Sequence, residues 1–375
     1  MQFRDLIKQY ESLKSEIDHA LLTAVASGHY IMGKEVTELE HCLADYVGVK
    51  HCITCANGTD ALTLALKVWQ IGPGDAVFVP DFTFIATAEV VSLEGATPVF
   101  VDVDSRSFNI CTQSLEKAIQ RTLSEGKLTP KAIIPVDLFG LPANYPAISE
   151  IAKKYQLWVL EDGAQGFGGA IGQQKACSFG DISTTSFFPA KPLGCYGDGG
   201  AVFTDNDDWA DHIRSLKVHG KGTDKYDNVR IGLNSRLDTL QAAILLPKFE
   251  AFKNEELDKV NQIASLYTQR LSTLYTTPWI PDGYYSSWAQ YTLIMETNDQ
   301  RNKLQHYLKE HGIPTMVYYP KPMHAQTAYA HLNYTAAQNP VSHSLSQTVL
   351  SLPMHPYLTE EEVNRVCDKI LEFKG

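Results

Sequence analysis

The chain has 375 residues, 44% of them apolar and 20% charged. That is enough for one large or two medium domains with real cores, and it excludes a disordered chain, a fibre or a small disulfide-stapled scaffold. Lys and Arg number 32 against 43 Asp and Glu, a formal net charge of -11, so the surface repels phosphate backbones and anionic lipid. No nucleic-acid or membrane partner is expected, although one local pocket can still hold an anionic metabolite.

The seven cysteines (Cys42, Cys52, Cys55, Cys111, Cys177, Cys195, Cys367) are odd in number and scattered, which suits reduced thiols in a cytoplasmic protein. Cys52 and Cys55 form a C-x-x-C, but no second pair or His cluster completes a zinc site, and no metal is expected. The chain carries charge within its first five residues, lacks a signal-peptide core and has no run of 18 apolar residues.

In chain order, the first fifty residues read mostly as helix, with Leu39, Leu43 and Tyr46 on one face and Gly48 at its end. Strands are predicted at His51–Cys55, Ala76–Val79, Thr97–Val101, Ala132–Pro135, Leu157–Leu160 and Gly200–Thr204. Helices are predicted between them at Asp60–Trp69, Ala86–Leu93, Leu115–Arg121 and Tyr145–Tyr155. Short apolar strands with helical crossovers mean a mostly parallel sheet covered on both faces. After about Asn234 the pattern changes. Leu237–Leu246 is helical and Pro247 is expected to kink or end it; a charged helix runs from Glu250 to about Tyr275. A strand at Trp288–Met295 and helices at Arg301–His311 and Glu360–Phe373 complete a smaller α+β domain, giving domains of 1–250 and 251–375.

Three segments carry chemistry. In Cys55-Ala-Asn-Gly-Thr-Asp-Ala61 a strand ends, Gly58 permits a tight turn, and a helix starts at about Thr59. Its free N–H groups and dipole suit a phosphate, and the same segment also reads as an ordinary turn capped by Thr59. The strand Leu157–Leu160 delivers Glu161 and Asp162 to its carboxyl end, where open parallel sheets bind ligands. In Thr184–Ala201 one lysine, Lys191, sits among aromatic, proline and glycine residues. A lysine in a partly dry site loses preference for its charged form and can act as an amine nucleophile. Together they suggest pyridoxal phosphate, which needs a lysine for its aldehyde, an acid for its ring nitrogen, donors for its phosphate and a flat group against its ring. Lys191, Asp162, the Gly58–Asp60 turn with Ser186, and Phe84 meet those needs.

These segments resemble the DegT/DnrJ/EryC1/StrS family of nucleotide-sugar aminotransferases. The likeness runs from about Gly28 to the C-terminus and rests on Asn57-Gly-Thr-Asp60, Phe82-Thr-Phe-Ile-Ala-Thr87, Glu161-Asp-Gly-Ala-Gln165, Ser186-Phe-Phe-Pro-Ala-Lys191 and Asn234-Ser-Arg-Leu-Asp238. The resemblance implies the α/β fold-type I, aspartate-aminotransferase-like fold: a mostly parallel sheet sandwiched by helices, with a smaller C-terminal α+β domain. It implies Lys191 as the Schiff-base lysine and proton shuttle, and Asp162 on the pyridine nitrogen. Gln165 would approach the ring hydroxyl and Phe84 stack on the ring. The N–H groups of Thr59 and Asp60, with Ser186, would hold the phosphate. Asn234 would reach the phosphate of the partner's cofactor in a homodimer with sites at its interface, and Arg236 would face the same site. Tyr318 and Tyr319 fall in the loop that contacts substrate.

Phe188–Gly199, Asn234–Leu246 and Ser351-Leu-Pro-Met-His-Pro356 look closest to the aminotransferases that aminate C3 of UDP-2-acetamido-2-deoxy-3-oxo-glucuronate for O-antigen synthesis, with glutamate as donor. Two departures stand out. Tyr318-Tyr-Pro320 replaces the His-Tyr-Pro of that subgroup, which puts the sugar's identity in question, and Gly163 and Gly166 replace Ala and Ser, small for small, with no disturbance of the cofactor expected. The alternatives are amination at C4 or C3 of a keto-6-deoxy sugar carried on dTDP, UDP or GDP, and a regulator that holds the cofactor without turnover. Related sugar dehydrases carry His where this chain has Lys191, which favours transamination. Lys221 is a further cation that could offset a diphosphate, or simply a solvated loop charge.

Overall fold

A computed structural model describes residues 1–224 and 226–374. Three helices, α1 (Leu6–Ser12), α2 (Lys14–Ser27) and α3 (Lys34–Val47), lead into β1 (His51–Cys55), α4 (Gly58–Val68), β2 (Asp75–Pro80), α5 (Ala86–Leu93) and β3 (Thr97–Val101). The alternation continues with α6 (Thr112–Glu125), β4 (Thr129–Ile133), α7 (Tyr145–Tyr155) and β5 (Trp158–Asp162). Short strands β6 (Ala170–Ile171) and β7 (Gln174–Lys175) precede β8 (Ile182–Ser186), β9 (Gly200–Thr204) and α8 (Asp207–Leu216). The remainder comprises α9 (Thr239–Ala251), α10 (Leu257–Leu271), β10 (Tyr284–Tyr285), β11 (Tyr291–Ile294), α11 (Asn298–Glu310), α12 (Pro340–Thr348), β12 (Val349–Leu352) and α13 (Glu360–Glu372).

The central sheet has seven strands in the order β1-β9-β8-β5-β4-β2-β3. Strands β3, β2, β4, β5 and β8 pair in parallel, whereas β9 is antiparallel to both its neighbours. Two antiparallel pairings in succession return β1 to the common direction. The carboxyl ends of β1, β2, β5 and β8 therefore open on one edge, where α/β sheets place ligands. Strand β8 was not among the predicted strands, because Ile-Ser-Thr-Thr-Ser is rich in hydroxyls and lacks an apolar run. It is buried nonetheless, because those hydroxyls find acceptors: Thr184 Oγ1 donates to the Glu161 carbonyl and Thr185 Oγ1 to the Gly163 carbonyl, each at 3.1 Å.

Helix α4 is buried along most of its length, through Ala61, Leu62, Leu64, Ala65 and Leu66, as expected for a helix enclosed by core. Pro247 does not end α9. The helix runs on through it to Ala251 and joins α10 by a π-type turn, Phe252–Glu256, which aims both Phe252 and Glu256 inward. A second core gathers Tyr267, Tyr291, Leu293, Leu350 and Val366 around α10, α13 and the antiparallel pair β11–β12.

Cys52 and Cys55 are three apart in β1 and so face opposite sides of the sheet, each in a different apolar cluster. All seven cysteines are free, and burial pushes the Cys55 thiol up to about 12. Among the described residues, no helix is long and apolar enough to cross a membrane, and no group of three or more His, Cys, Asp or Glu is placed to hold a metal.

Asp102, just past β3, ties α12 to the central sheet. Its carboxylate accepts from Val341 N (3.0 Å), Ser342 N (2.8 Å) and Ser342 Oγ (2.7 Å) at the start of α12. Asp102→Ala should lower the unfolding free energy by about 2–3 kcal/mol, measured as an earlier urea midpoint; an unmoved midpoint would show that these bonds do not hold α12 to the sheet.

Candidate active site

The turn after β1 is built on a side-chain cap. Asn57, not Thr59, is the N-cap of α4, and its Oδ1 accepts from Asp60 N at 2.8 Å. The Asp60 N–H is thus already engaged, and the open donors at this helix end are those of Gly58 and Thr59. Gly58 lies so close to Ser186 that a Cβ there would fall 2.7 Å from the Ser186 Cβ. A Cβ on Gly200 would fall 2.5 Å from the Asn57 backbone. These two glycines let the ends of β1, β8 and β9 close into one cradle with a helix N-terminus, two free N–H groups and a hydroxyl, the donor set a phosphate monoester requires.

Asp162 ends β5 almost fully buried. Thr87 Oγ1 donates to its Oδ2 at 2.8 Å and Ala164 N to its Oδ1 at 3.2 Å. Burial pushes this carboxyl above its ordinary range, while the Thr87 bond and the Lys191 charge pull it back. Lys191, in the loop after β8, is shifted in the complementary sense. Burial lowers its ammonium, Asp162 opposes that, and Arg4 lowers it further. The loop is shaped by Lys191 N donating to the Phe188 carbonyl (2.8 Å) and Cys195 N to the Phe187 carbonyl (2.7 Å). Gly194 packs against it, where a Cβ would fall 2.6 Å from two carbonyl oxygens.

Gln165 is oriented by its neighbours. Phe139 N donates to its Oε1 at 2.9 Å, and its Nε2 donates to the Tyr319 hydroxyl at 3.0 Å. This brings Tyr319 into the site, with its ring 6.3 Å from Phe84 and 6.1 Å from Phe82. Phe84 is 54% exposed, an unusual state for a Phe that has nothing to cover. Tyr318 turns the other way and meets Phe3 edge-on at 6.1 Å. Asn234 and Arg236 hydrogen-bond each other at 2.6 Å, and Ser235 between them accepts from Ala56 N at 3.1 Å. Their segment thus touches the phosphate turn, but neither side chain bonds to Lys191 or Asp162. Lys221 lines an open cleft of about 640 Å³ with Arg214 and Arg230, and none of the Lys191–Asp162 group lines it.

A buried acid charge-coupled to a lysine whose ammonium burial disfavours, beside an anion cradle and an open aromatic face, fits pyridoxal phosphate. Comparison with known proteins agrees. The model of the DegT/DnrJ/EryC1/StrS aminotransferase family matches residues 11–371. The chain belongs to that family. It is a pyridoxal-phosphate-dependent sugar aminotransferase of the fold-type I class, and a solved relative from Bacillus subtilis, 28% identical, holds the cofactor's amine form. A UDP-2-acetamido-2-deoxy-3-oxo-D-glucuronate aminotransferase of Pseudomonas aeruginosa is 46% identical over 98% of both chains. A UDP-N-acetyl-3-dehydro-alpha-D-glucosamine 3-aminotransferase of Acidithiobacillus ferrooxidans is 42% identical, over 98% of this chain and 96% of its own. The crystal structure of a family aminotransferase from Brucella abortus superposes with a TM-score of 0.97, at 50% identity over the whole of both chains.

Within this aminotransferase, close neighbours fix Gly163 and Gly166 as glycines. A Cβ at 163 would fall 2.7 Å from Cys177 Sγ, and one at 166 would fall 2.4 Å from Asp137 Cβ and Oδ2. The space that Ala or Ser would need at 166 is filled by Asp137, a buried acid that the motif reading did not single out. Thr87 also went unassigned, although it lies inside a quoted motif, because nothing in the chain order pairs it with Asp162.

Asp137 and Glu161 form a buried carboxyl pair beneath Asp162. Glu161 accepts from the N–H groups of Cys177, Phe179 and Gly180 and from Ser183 Oγ. Asp137 Oδ1 accepts from Ala143 N and Tyr145 Oη. Burial pushes both upward, and the charge of Glu161 adds to the rise at Asp137; Glu161 accepts from four donors and Asp137 from two, so the shared proton belongs on Asp137. The folded state then holds a proton that the unfolded chain has lost above about pH 4, so this pair erodes stability as pH rises. Asp137→Asn should therefore flatten the fall in melting temperature between mildly acidic and mildly alkaline pH, and Asp137→Ala should lower it throughout. A wild-type pH slope in the Asn variant would assign the proton elsewhere.

Proposed function

We propose that this aminotransferase moves the amino group of glutamate onto C3 of a UDP-linked 2-acetamido-3-oxo sugar, the 3-oxo-glucuronate, for a surface polysaccharide such as O-antigen. We also propose that it works as a cytoplasmic homodimer, each chain divided into a cofactor domain (1–250) and a smaller domain (251–375). The observation that carries the reading is the pairing of Lys191 with the buried Asp162 beside the Gly58–Ser186 cradle. The likeness to the Pseudomonas enzyme supports the sugar. Both relatives named above act, by their names, on a UDP-linked sugar oxidised at C3, and they differ in the carboxylate.

Pyridoxal phosphate, when bound, supplies an electron sink and a carrier for the amino group. The chain's own residues do the rest. The Gly58 and Thr59 N–H groups and Ser186 Oγ would hold the phosphate. Asp162, aimed by Thr87 and Ala164, keeps a proton on the ring nitrogen, since an opposite charge in a dry site favours the ionised form. Gln165 would approach the ring hydroxyl, and Phe84 would offer its exposed face to the ring. Lys191 Nζ takes the proton from the α-carbon of glutamate in the first half-reaction and delivers one to the sugar carbon in the second. The net exchange is glutamate plus keto-sugar for 2-oxoglutarate plus amino-sugar, by a ping-pong course.

The homodimer reading is supported by an apolar rim. Tyr30, Ile31, Met32, Val229 and Ile231 are exposed on segments next to Asn234, where Ile31 bridges to Asp238 and Thr239 N bonds to the Tyr30 carbonyl. Such contiguous apolar exposure marks an interface. A second copy there would bring Asn234 and Arg236 to the partner's cofactor and sugar, with Tyr319 completing the substrate wall and Tyr318 packed behind it on Phe3.

The decisive experiment offers glutamate with a panel of keto-sugar nucleotides, with and without a uronic carboxylate, and identifies the aminated carbon by NMR. Exclusive turnover of 4-keto-6-deoxy sugars would replace this reading with the C4 alternative. Lys191→Ala should abolish turnover and the pH-dependent visible band of the bound cofactor; an unchanged spectrum would remove Lys191 from its role. Arg236→Ala should raise KM for the uronate at least about tenfold more than for a neutral sugar, and equal losses would show that it does not read a carboxylate.

A further inference from the structure

Arg4 precedes α1, yet its guanidinium reaches the lysine loop. Its Nη2 donates to the Lys191 carbonyl at 2.6 Å and to the Pro192 carbonyl at 3.4 Å. The segment around it is pinned on both sides. The Phe3 ring meets Tyr318, the Phe3 carbonyl accepts from Met354 N at 3.3 Å, and Asp5 caps α1 through Lys8 N at 3.0 Å. The charge opposite Arg4 is Glu256, which the π-type turn carries inward. Glu256 is itself held by Gln9 Nε2 at 3.3 Å and by the Tyr357 hydroxyl.

We propose that Arg4 is a positioning residue for Lys191: set opposite Glu256, it clasps the carbonyls of Lys191 and Pro192 and keeps a second cation against the lysine amine. The clasp fixes the backbone from which the side chain swings. The charge acts on the amine itself, because a nearby cation disfavours an ammonium. The titratable and charged groups facing Arg4 are Glu256, Tyr357, Lys248, His355 and Lys191, and those facing Lys191 are Asp162 and Arg4. Lys248 stands over the Tyr196 ring at 4.5 Å, with its buried Nζ lacking a hydrogen-bond partner among the described residues. It therefore does not replace Arg4 on the loop.

The inference rests on the reading of Lys191 as the cofactor's lysine, but its test does not need the cofactor. Cofactor-free protein is labelled with acetic anhydride across a pH series, and the Lys191 peptide is quantified by mass spectrometry. Arg4→Met should raise the apparent pKa of Lys191 by about half a unit or more, slowing its labelling near neutrality about threefold, and Arg4→Lys should restore most of the wild-type profile. An unchanged profile in folded Arg4→Met, or an equal shift in Arg4→Lys, overturns the proposal. Should Arg4→Met fail to fold, Glu256→Gln keeps Arg4 and removes the charge that balances it. Lys191 should then titrate lower, and an unmoved profile overturns the proposal. Loss of the role of Lys191 itself would show instead as a normal cofactor spectrum in Lys191→Ala, so the two failures are distinct.

Discussion

A carboxylate shut away from water next to an amine that is partly shut away is a costly arrangement unless each answers the other. Asp162 and Lys191 are in that position: burial raises one and lowers the other, and each charge moderates its partner's shift. The Thr87 bond keeps the carboxylate aimed, and in the function proposed above the acid would answer a cationic ring nitrogen and the amine an aldehyde. The rest of the site organises that approach, with a phosphate cradle at one end and aromatic faces at the other.

The sheet makes this meeting possible. Parallel pairing of β2, β4, β5 and β8 sends their carboxyl ends to one edge, and the reversed β9 restores β1 to that direction. Three loops remote in sequence, after β1, β5 and β8, thus converge within contact distance. Glycine sets how closely: Gly58 against Ser186 and Gly200 against Asn57 leave no room for a Cβ. The same economy of space recurs below the site, where Gly166 admits Asp137 and so permits a buried pair of carboxyls under Asp162.

Much of the architecture was legible from period and punctuation. β1, β3, β9, α5 and α7 lie where apolar runs, glycines and helix starts placed them, because their patterns agree with their burial. β8 escaped notice because hydroxyls satisfied by β5 and the turn after it stand in place of an apolar run. Pro247 does not end α9, which continues past it to Ala251 and into the π-type turn.

Residue type and order alone marked Lys191, Asp162, Gly58, Ser186 and Phe84, because the chemistry of pyridoxal phosphate admits few substitutes and each residue sits in a distinctive local context. Only the folded chain decided which N–H groups remain free at α4, that Tyr319 rather than Tyr318 bonds to Gln165, and that Arg4 lies on the carbonyl of a residue 187 positions away. Those are contacts between segments with no local signature. Their partners are chosen by packing, which the linear order of residues does not contain.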